Sequence, residues 1–412
     1  MKILMINHYA VPPIESGGTR HYSLAQELIK RGHQVTVIAA NFSHQKRVPL
    51  IPDVREPVFE RHYDEVPFIW VNVPPYTRNS PARAKNMIAF TKAMLINKYF
   101  KEMDPPDVVI GSSPHPFAAW AAQRLATKWG IPFIFEVRDL WPQSLIDLGK
   151  ISSRHPAVKF MAMLEKHLYK RADKIITLLP GAHEYIRSIG IDVDKVVYIP
   201  NGIDFSIYSQ PTDRLPKQNS DRFTVMYAGA HGLANCLEVI LKCAEILKGK
   251  YGDKIVFQLV GDGPQKEYLK NMADKMGLSN VEFINPVPKS QVPTLLSHAD
   301  AFIVVVKDSP LYKYGISLNK IYDYLASARP VIIGVNAFNN PVEEAGAGIT
   351  VAPENPEELA AAVIKLYNMS EQDRKQMGIN GRKYVEENHD FRNLAVGLEK
   401  VLEEAISINK PE

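Results

Sequence analysis

Only two cysteines, Cys236 and Cys243, occur in 412 residues, too few for a disulfide framework. They share one predicted helix and show no ligand-type clustering, so neither a zinc site nor a redox pair is read from them. No apolar run reaches the length of a membrane span. The opening MKILMINHYA reads as a strand without a signal-peptide pattern. The expectation is a cytoplasmic chain, with any membrane contact peripheral and on the inner face of the cell membrane. A GxGxxG fingerprint is missing, so a dinucleotide is not indicated. The one DxD, Asp192-Val193-Asp194, stands in a polar turn without neighbouring ligands and reads as a surface turn rather than a metal site. No nucleic-acid partner is expected.

Acids are scarce in one region. Residues 66–101 contain no Asp or Glu but carry Arg78, Arg83, Lys85, Lys92, Lys98 and Lys101, interleaved with Ile88, Phe90, Met94 and Tyr99. A basic amphipathic helix with aromatic residues is the pattern of an interfacial contact, so 76–101 is expected to face anionic lipid. The formal net charge of +4 hides an imbalance. Residues 1–200 hold 26 Lys+Arg against 18 Asp+Glu, and the remainder holds 23 against 27. A basic first half suits an acidic partner, either lipid or a phosphorylated acceptor. With 46% hydrophobic and 23% charged residues, the chain is globular and long enough for two cores.

What is present is a series of apolar runs ending in polar, glycine- or proline-bounded loops. Lys2–Asn7, a loop with Gly17-Gly18, a helix from Arg20 and the strand Gln34–Ala40 make a β–loop–α–β unit of the Rossmann kind. Strands over 107–111 and 130–137 end in Ser112-Ser113-Pro114-His115-Pro116 and Arg138-Asp139-Leu140-Trp141-Pro142. Those loops belong on the carboxyl edge of a parallel sheet, where open α/β sheets bind ligands. His115, Glu136, Arg138 and Asp139 are the candidates there. Later, Phe223–Gly229 precedes a turn over 230–235, and Ile255–Val260 precedes Gly261-Asp262-Gly263-Pro264, whose glycines admit close approach of a ribose or phosphate. The densest stretch is Tyr314–Pro330, YGISLNKIYDYLASARP. Its turn at Gly315, Ser317, Leu318 and Asn319 opens a helix from Lys320, with Ile321, Tyr324 and Leu325 spaced for an inward face. A helix start of this kind, with Lys320 beside it, is a seat for an anion. Asp323 suits a ribose diol.

This stretch resembles the nucleotide-sugar site of family 4 retaining glycosyltransferases, which place two Glu eight positions apart before a small-residue helix end and a proline. Asp323 takes the second acid position; Gly315 departs from the first. The signature Ile199-Pro200-Asn201-Gly202-Ile203-Asp204 resembles the family's interdomain segment, with a linker over Ser209–Asp221, and Arg138-Asp139-Leu140-Trp141-Pro142 resembles bacterial O-antigen and capsule transferases of the N-acetylfucosamine type. The resemblance implies an α/β GT-B fold with two Rossmann-like domains facing each other across a cleft. Residues 1–201 with a returning helix in 389–412 would bind the acceptor, and 202–388 the donor. It implies a UDP-sugar, an N-acetylated aminodeoxyhexose, moved with retention to a lipid-diphosphate-linked saccharide without a metal or other cofactor. On the donor side it implies Gly18, Gly261, Gly263, Val287 (through its backbone), Gly315, Ser317–Asn319, Lys320 and Asp323, and on the acceptor side His115, Arg138 and Asp139. The family's Arg and Lys in the 230–235 turn are replaced here by Ala230 and Asn235, which shifts the diphosphate onto backbone N–H groups and Lys320. Two other readings stay open: an isomerase like UDP-N-acetylglucosamine 2-epimerase, and a non-catalytic nucleotide-sugar-binding partner.

Overall fold

A computed structural model describes residues 1–15, 17–44, 46–77, 81–149, 151–208 and 222–408. The expected linker Ser209–Asp221 and Arg78 lie outside the described residues. Two compact units are formed: Met1–Pro13, Gly17–Pro200 and Phe391–Glu412 make one, and Asn201–Asp390 makes the body of the other.

The first unit is built on an eight-stranded sheet. Its strands are β1 (Lys2–Ile6), β2 (Gln34–Ala40), β3 (Val58–Tyr63), β4 (Val66–Val71), β5 (Val108–Ser112), β6 (Phe133–Val137), β7 (Lys174–Thr177) and β8 (Val196–Tyr198). The spatial order is β3-β4-β2-β1-β5-β6-β7-β8. Pairing is parallel except for the edge hairpin β3–β4. The near-continuous apolar runs of β1, β5 and β6 follow from burial on both faces. The progression of strand order reverses between β1 and β5, so their carboxyl-end loops open a crevice. The helix Phe391–Ile408 packs on the helix Arg20–Lys30. Phe391, Leu394, Leu398 and Leu402 enter the same core as Ile3, Met5 and Trp70.

The second unit has a six-stranded, wholly parallel sheet of β9 (Phe223–Ala228), β10 (Ile255–Val260), β11 (Val281–Ile284), β12 (Ala301–Val305), β13 (Val331–Gly334) and β14 (Gly348–Val351). Its order is β11-β10-β9-β12-β13-β14, with the reversal between β9 and β12. The helix Asn319–Ala326 is buried almost all round. Ile321, Tyr324 and Leu325 face inward as their spacing predicts, but Tyr322 is also covered, stacking on His389 at 4.2 Å between centroids. The cysteines depart from expectation. Cys243 lies in the helix Glu238–Tyr251, whereas Cys236 precedes it in a left-handed conformation. Both thiols are buried, which raises their pKa values.

Candidate functional site

In the second unit the expected donor residues gather at the carboxyl ends of β9, β10 and β12. The turn after β9 starts at Gly229, and Lys320 reaches into it from the first turn of the helix Asn319–Ala326. Its ammonium donates to Asn235 Oδ1 at 2.6 Å and to the Tyr227 hydroxyl at 2.9 Å, and it sits 4.6 Å from the Tyr227 ring centre. Tyr227 and Asn235 in turn both donate to the Ala230 carbonyl. Among the described residues no carboxylate pairs with Lys320, and burial lowers its pKa to about 7. Such a lysine gains from an anion that restores its charged form. Leu318, at the N-cap position, offers no side-chain cap to the helix start, and Asn319 beside it is exposed.

Asp323 is more engaged than its sequence position suggests. Its Oδ1 accepts from Lys289 at 2.5 Å and from the Tyr208 hydroxyl at 2.7 Å, with little of either charged side chain exposed. Lys289 stands just past the loop holding Val287, so this ion pair ties that loop to the helix. Neither Lys289 nor Tyr208 was among the sequence candidates.

The glycine turn and Ser317 are tied into the neighbouring backbone. A Cβ at Gly261 would lie 1.9 Å from the Gly229 carbonyl oxygen, and one at Gly263 2.5 Å from that of His231. These glycines let one loop lie on the next, joined by His231 N–H donating to the Asp262 carbonyl at 2.8 Å; the side a Cβ would take is filled by backbone of the neighbouring loop. Ser317 is likewise occupied: its Oγ accepts from the Asn201 N–H at 3.1 Å, and its carbonyl accepts from the Asn201 carboxamide at 2.8 Å. The Asn of the 199–204 signature thus holds the turn that launches the helix. Gly315 is buried with φ +109°, a conformation in which a Glu would be strained. Nearby, Asp308, Ser309, Pro310, Lys313, Asn336 and Ala337 line a cavity of about 270 Å³.

The first unit concentrates polar groups at the β1–β5 crevice. Glu136 accepts from Arg20 Nε at 2.8 Å, from His21 Nε2 at 2.8 Å and from the Ser112 hydroxyl at 2.6 Å. Burial works to raise the Glu136 carboxyl, but His21 and Arg20 outweigh it and hold it well below the usual range. Arg20 also donates to the Ile199 and Pro200 carbonyls. Arg138 lies 3.5 Å from His21 Nδ1 and its backbone N–H donates to Ser113 Oγ, while Asp139 is exposed at the rim. His115 ends β5's loop as the cap of the next helix. Its Nδ1 accepts from the Ala118 N–H at 3.0 Å, capping the helix Pro116–Trp129, and its Nε2 lies 3.2 Å from the Met87 carbonyl. Burial drives its pKa down to about 3, so the imidazole is neutral. Gly18 stands half-buried just before the helix Arg20–Lys30, whose N-cap Thr19 makes no side-chain bond. Asp192 and Asp194 form a local turn, the Asp194 N–H donating to Asp192 Oδ1 at 3.0 Å. Among the described residues no three His, Cys, Asp or Glu side chains gather as a metal would need.

Comparison with known proteins gives family matches to both halves of the chain. Residues 17–202 match the profile of the glycosyl transferase 4-like domain, and residues 211–384 that of glycosyl transferases group 1. The putative colanic acid biosynthesis glycosyl transferase WcaI of Escherichia coli K12 is 22% identical, across 96% of this chain and 98% of its own. Among solved structures, sucrose-phosphate synthase from Thermosynechococcus elongatus superposes with a TM-score of 0.78 at 16% identity, covering 99% of each chain. Anabaena HepE, solved with UDP and glucose, superposes with a TM-score of 0.67 at 14% identity over 98% of this chain and 99% of its own.

Proposed function

The chain belongs to the group 1 glycosyl transferases with a glycosyl transferase 4-like first half, and we propose that it moves an N-acetylated aminodeoxyhexose from UDP, with retention, to a lipid-diphosphate-linked saccharide in cell-surface polysaccharide synthesis. The observation that carries the donor side is Lys320. The resembled family keeps cations at two positions of the turn after the first strand of this unit, and here those positions are Ala230 and Asn235. Lys320 brings an ammonium into that same turn, bonded to Asn235 itself. On this reading the diphosphate meets Lys320, the turn N–H groups and the uncapped helix start, and no metal is needed to stabilise the leaving group. The anomeric C–O bond to the β-phosphate breaks, and the acceptor hydroxyl forms its bond on the same face. Its proton leaves with the departing UDP.

Asp323 holds the ribose end with Lys289 as its partner, and Gly315 leaves the sugar without the usual carboxylate. Asp308 and Asn336, in the cavity beyond Tyr314, are the groups placed to read its hydroxyl and acetamido substituents. HepE, whose structure holds UDP and glucose, supports uridine as the base. WcaI, described as acting in colanic acid biosynthesis, supports a polysaccharide acceptor. Arg138 and Asp139 orient that acceptor.

Calorimetry with UDP on the intact chain and on Lys320→Ala tests the donor assignment. The expected loss is about 10- to 100-fold in affinity, the scale of a charge-assisted hydrogen bond. An unchanged affinity would remove Lys320 from the site, and tighter binding of GDP or ADP than of UDP would refute uridine.

A further inference from the structure

Three helices of the first unit lie side by side on one face of its sheet: Pro81–Ile96 beside Pro116–Trp129, and that beside Pro156–Arg171. Together they carry three basic residues on the first, two on the second and four on the third, against a single acid, Glu165. That acid is buried at 4% exposure. The visible charge of the whole face is therefore positive, and Lys85, Lys92, Lys159 and Lys166 are all exposed. Among these lysines stand large apolar side chains in water: Ile88 is 57% exposed, Phe160 51% and Met163 66%. Phe160 stacks on Phe117 of the middle helix, 6.2 Å between centroids, so the apolar positions of neighbouring helices join. The first two helices follow β4 and β5, the third follows β6 after the short helix Gln143–Asp147, and each crosses back towards the start of the next parallel strand. Phe117, Phe160 and Met163 therefore lie in the helix halves nearest the carboxyl edge of the sheet.

We infer that this three-helix face docks on the surface of an anionic lipid bilayer, with Phe160 and Met163 as its apolar anchors. Charge complementarity selects the occupant. An acid-free basic surface studded with isolated apolar side chains suits anionic headgroups over an acyl layer. The contact expected from 76–101 is thereby relocated: that segment supplies one of three helices and neither anchor. The inference rests on the lipid-linked acceptor reading only in its purpose. Docking would hold the membrane against the carboxyl edge where that acceptor is to be bound.

Flotation of the full chain with phosphatidylcholine vesicles, with and without phosphatidylglycerol, tests it. Binding is expected with phosphatidylglycerol and weak without it, and raised salt should reduce it. The variant K85E/K92E/K159E/K166E should abolish binding, since each lysine removed weakens partition about fivefold. F160S/M163S should reduce binding to both vesicle types. A control reversal on the second unit, K242E/K365E, should leave it unchanged. No binding to phosphatidylglycerol vesicles, or equal loss in the control, would overturn the inference. So would concentration-dependent self-association that F160S/M163S dissolves, because the face would then be an interface between copies. UDP affinity measured on the same variants separates the two ideas: intact UDP binding without flotation sinks the docking face alone, whereas flotation without UDP binding sinks the donor reading.

Discussion

At the scale of single residues, Lys320 and Glu165 make opposite statements about burial. Lys320 has been pushed down to about 7 by burial, so near neutral pH it is only partly charged before a ligand arrives. A diphosphate favours the protonated form, and binding should take up a proton. UDP affinity is therefore expected to fall as pH rises from 6.5 towards 9, and Lys320→Arg should flatten that slope while keeping affinity; calorimetry in two buffers of different ionisation enthalpy reads the proton directly. Glu165 has been pushed up to about 8 by burial, with the Tyr169 and Tyr185 hydroxyls donating to its two oxygens at 3.1 and 2.8 Å. Its folded pKa lies above the ordinary value of a Glu in the unfolded chain. The stability it contributes is thus full below about pH 4.5 and drains away as pH climbs to about 8. Glu165→Gln is expected to raise Tm at pH 8–9, with a gain of about 1–3 kcal/mol, and to leave stability at pH 4.5 nearly unchanged. Neither behaviour is legible in the chain, because burial of one side chain depends on elements far away in sequence. Lys320 could be suspected as a ligand group from its place at a helix start, but its arrival in the Gly229–Asn235 turn could not be read.

At the scale of elements, the loops at the carboxyl edge of the second sheet are interlocked before any substrate enters. On the side a Cβ would take, Gly261 and Gly263 give their room to the Gly229 and His231 carbonyls. Gly261→Ala is expected to destabilise the chain by about 2–3 kcal/mol, measured by urea melts, with UDP affinity falling as the turn carrying Tyr227 and Asn235 is displaced. The Lys289–Asp323 pair offers a second test. Asp323→Ala removes the partner of a largely buried lysine and should cost about 2–3 kcal/mol. Lys289→Met should cost less in stability but loosen the loop at Val287, seen as a weaker preference for uridine over cytidine diphosphate. The runs that became strands, and the helices read from Arg20 and from Lys320, one residue inside its observed start at Asn319, are visible because period and turn residues are local properties. The hairpin β3–β4 is not legible because its outer strand, Val58–Tyr63, is an edge with no buried position, so it lacks the apolar run that marks its neighbours. Cys236 was placed in a helix for the converse reason: the pattern does not reveal that its backbone turns left-handed at φ +43°.

At the scale of the whole molecule, each of the two sheets reverses its strand order once, and the crevice at the carboxyl ends of its parallel strands is where loop residues single themselves out in the sequence. The basic face could not. Its three helices begin at residues 81, 116 and 156, and only packing makes them neighbours; the sequence shows one acid-poor segment where the fold shows a continuous surface. The second core is drawn entirely from within its own stretch of chain. The first is not: the side chains of Phe391, Leu394, Leu398 and Leu402 complete it, with Glu399 pairing Arg31 and His33 and with Glu404 pairing Lys174. Removal of Phe391 and everything after it is therefore expected to leave the first unit molten, with increased dye binding, while the melt of the second unit persists. On a ribosome the same arrangement inverts the order of birth. The unit encoded first must wait, with the helix Arg20–Lys30 lacking its neighbour, until the helix Phe391–Ile408 has been made. The unit encoded second can close before it, and any pause in translation between the two falls on the half that is still incomplete.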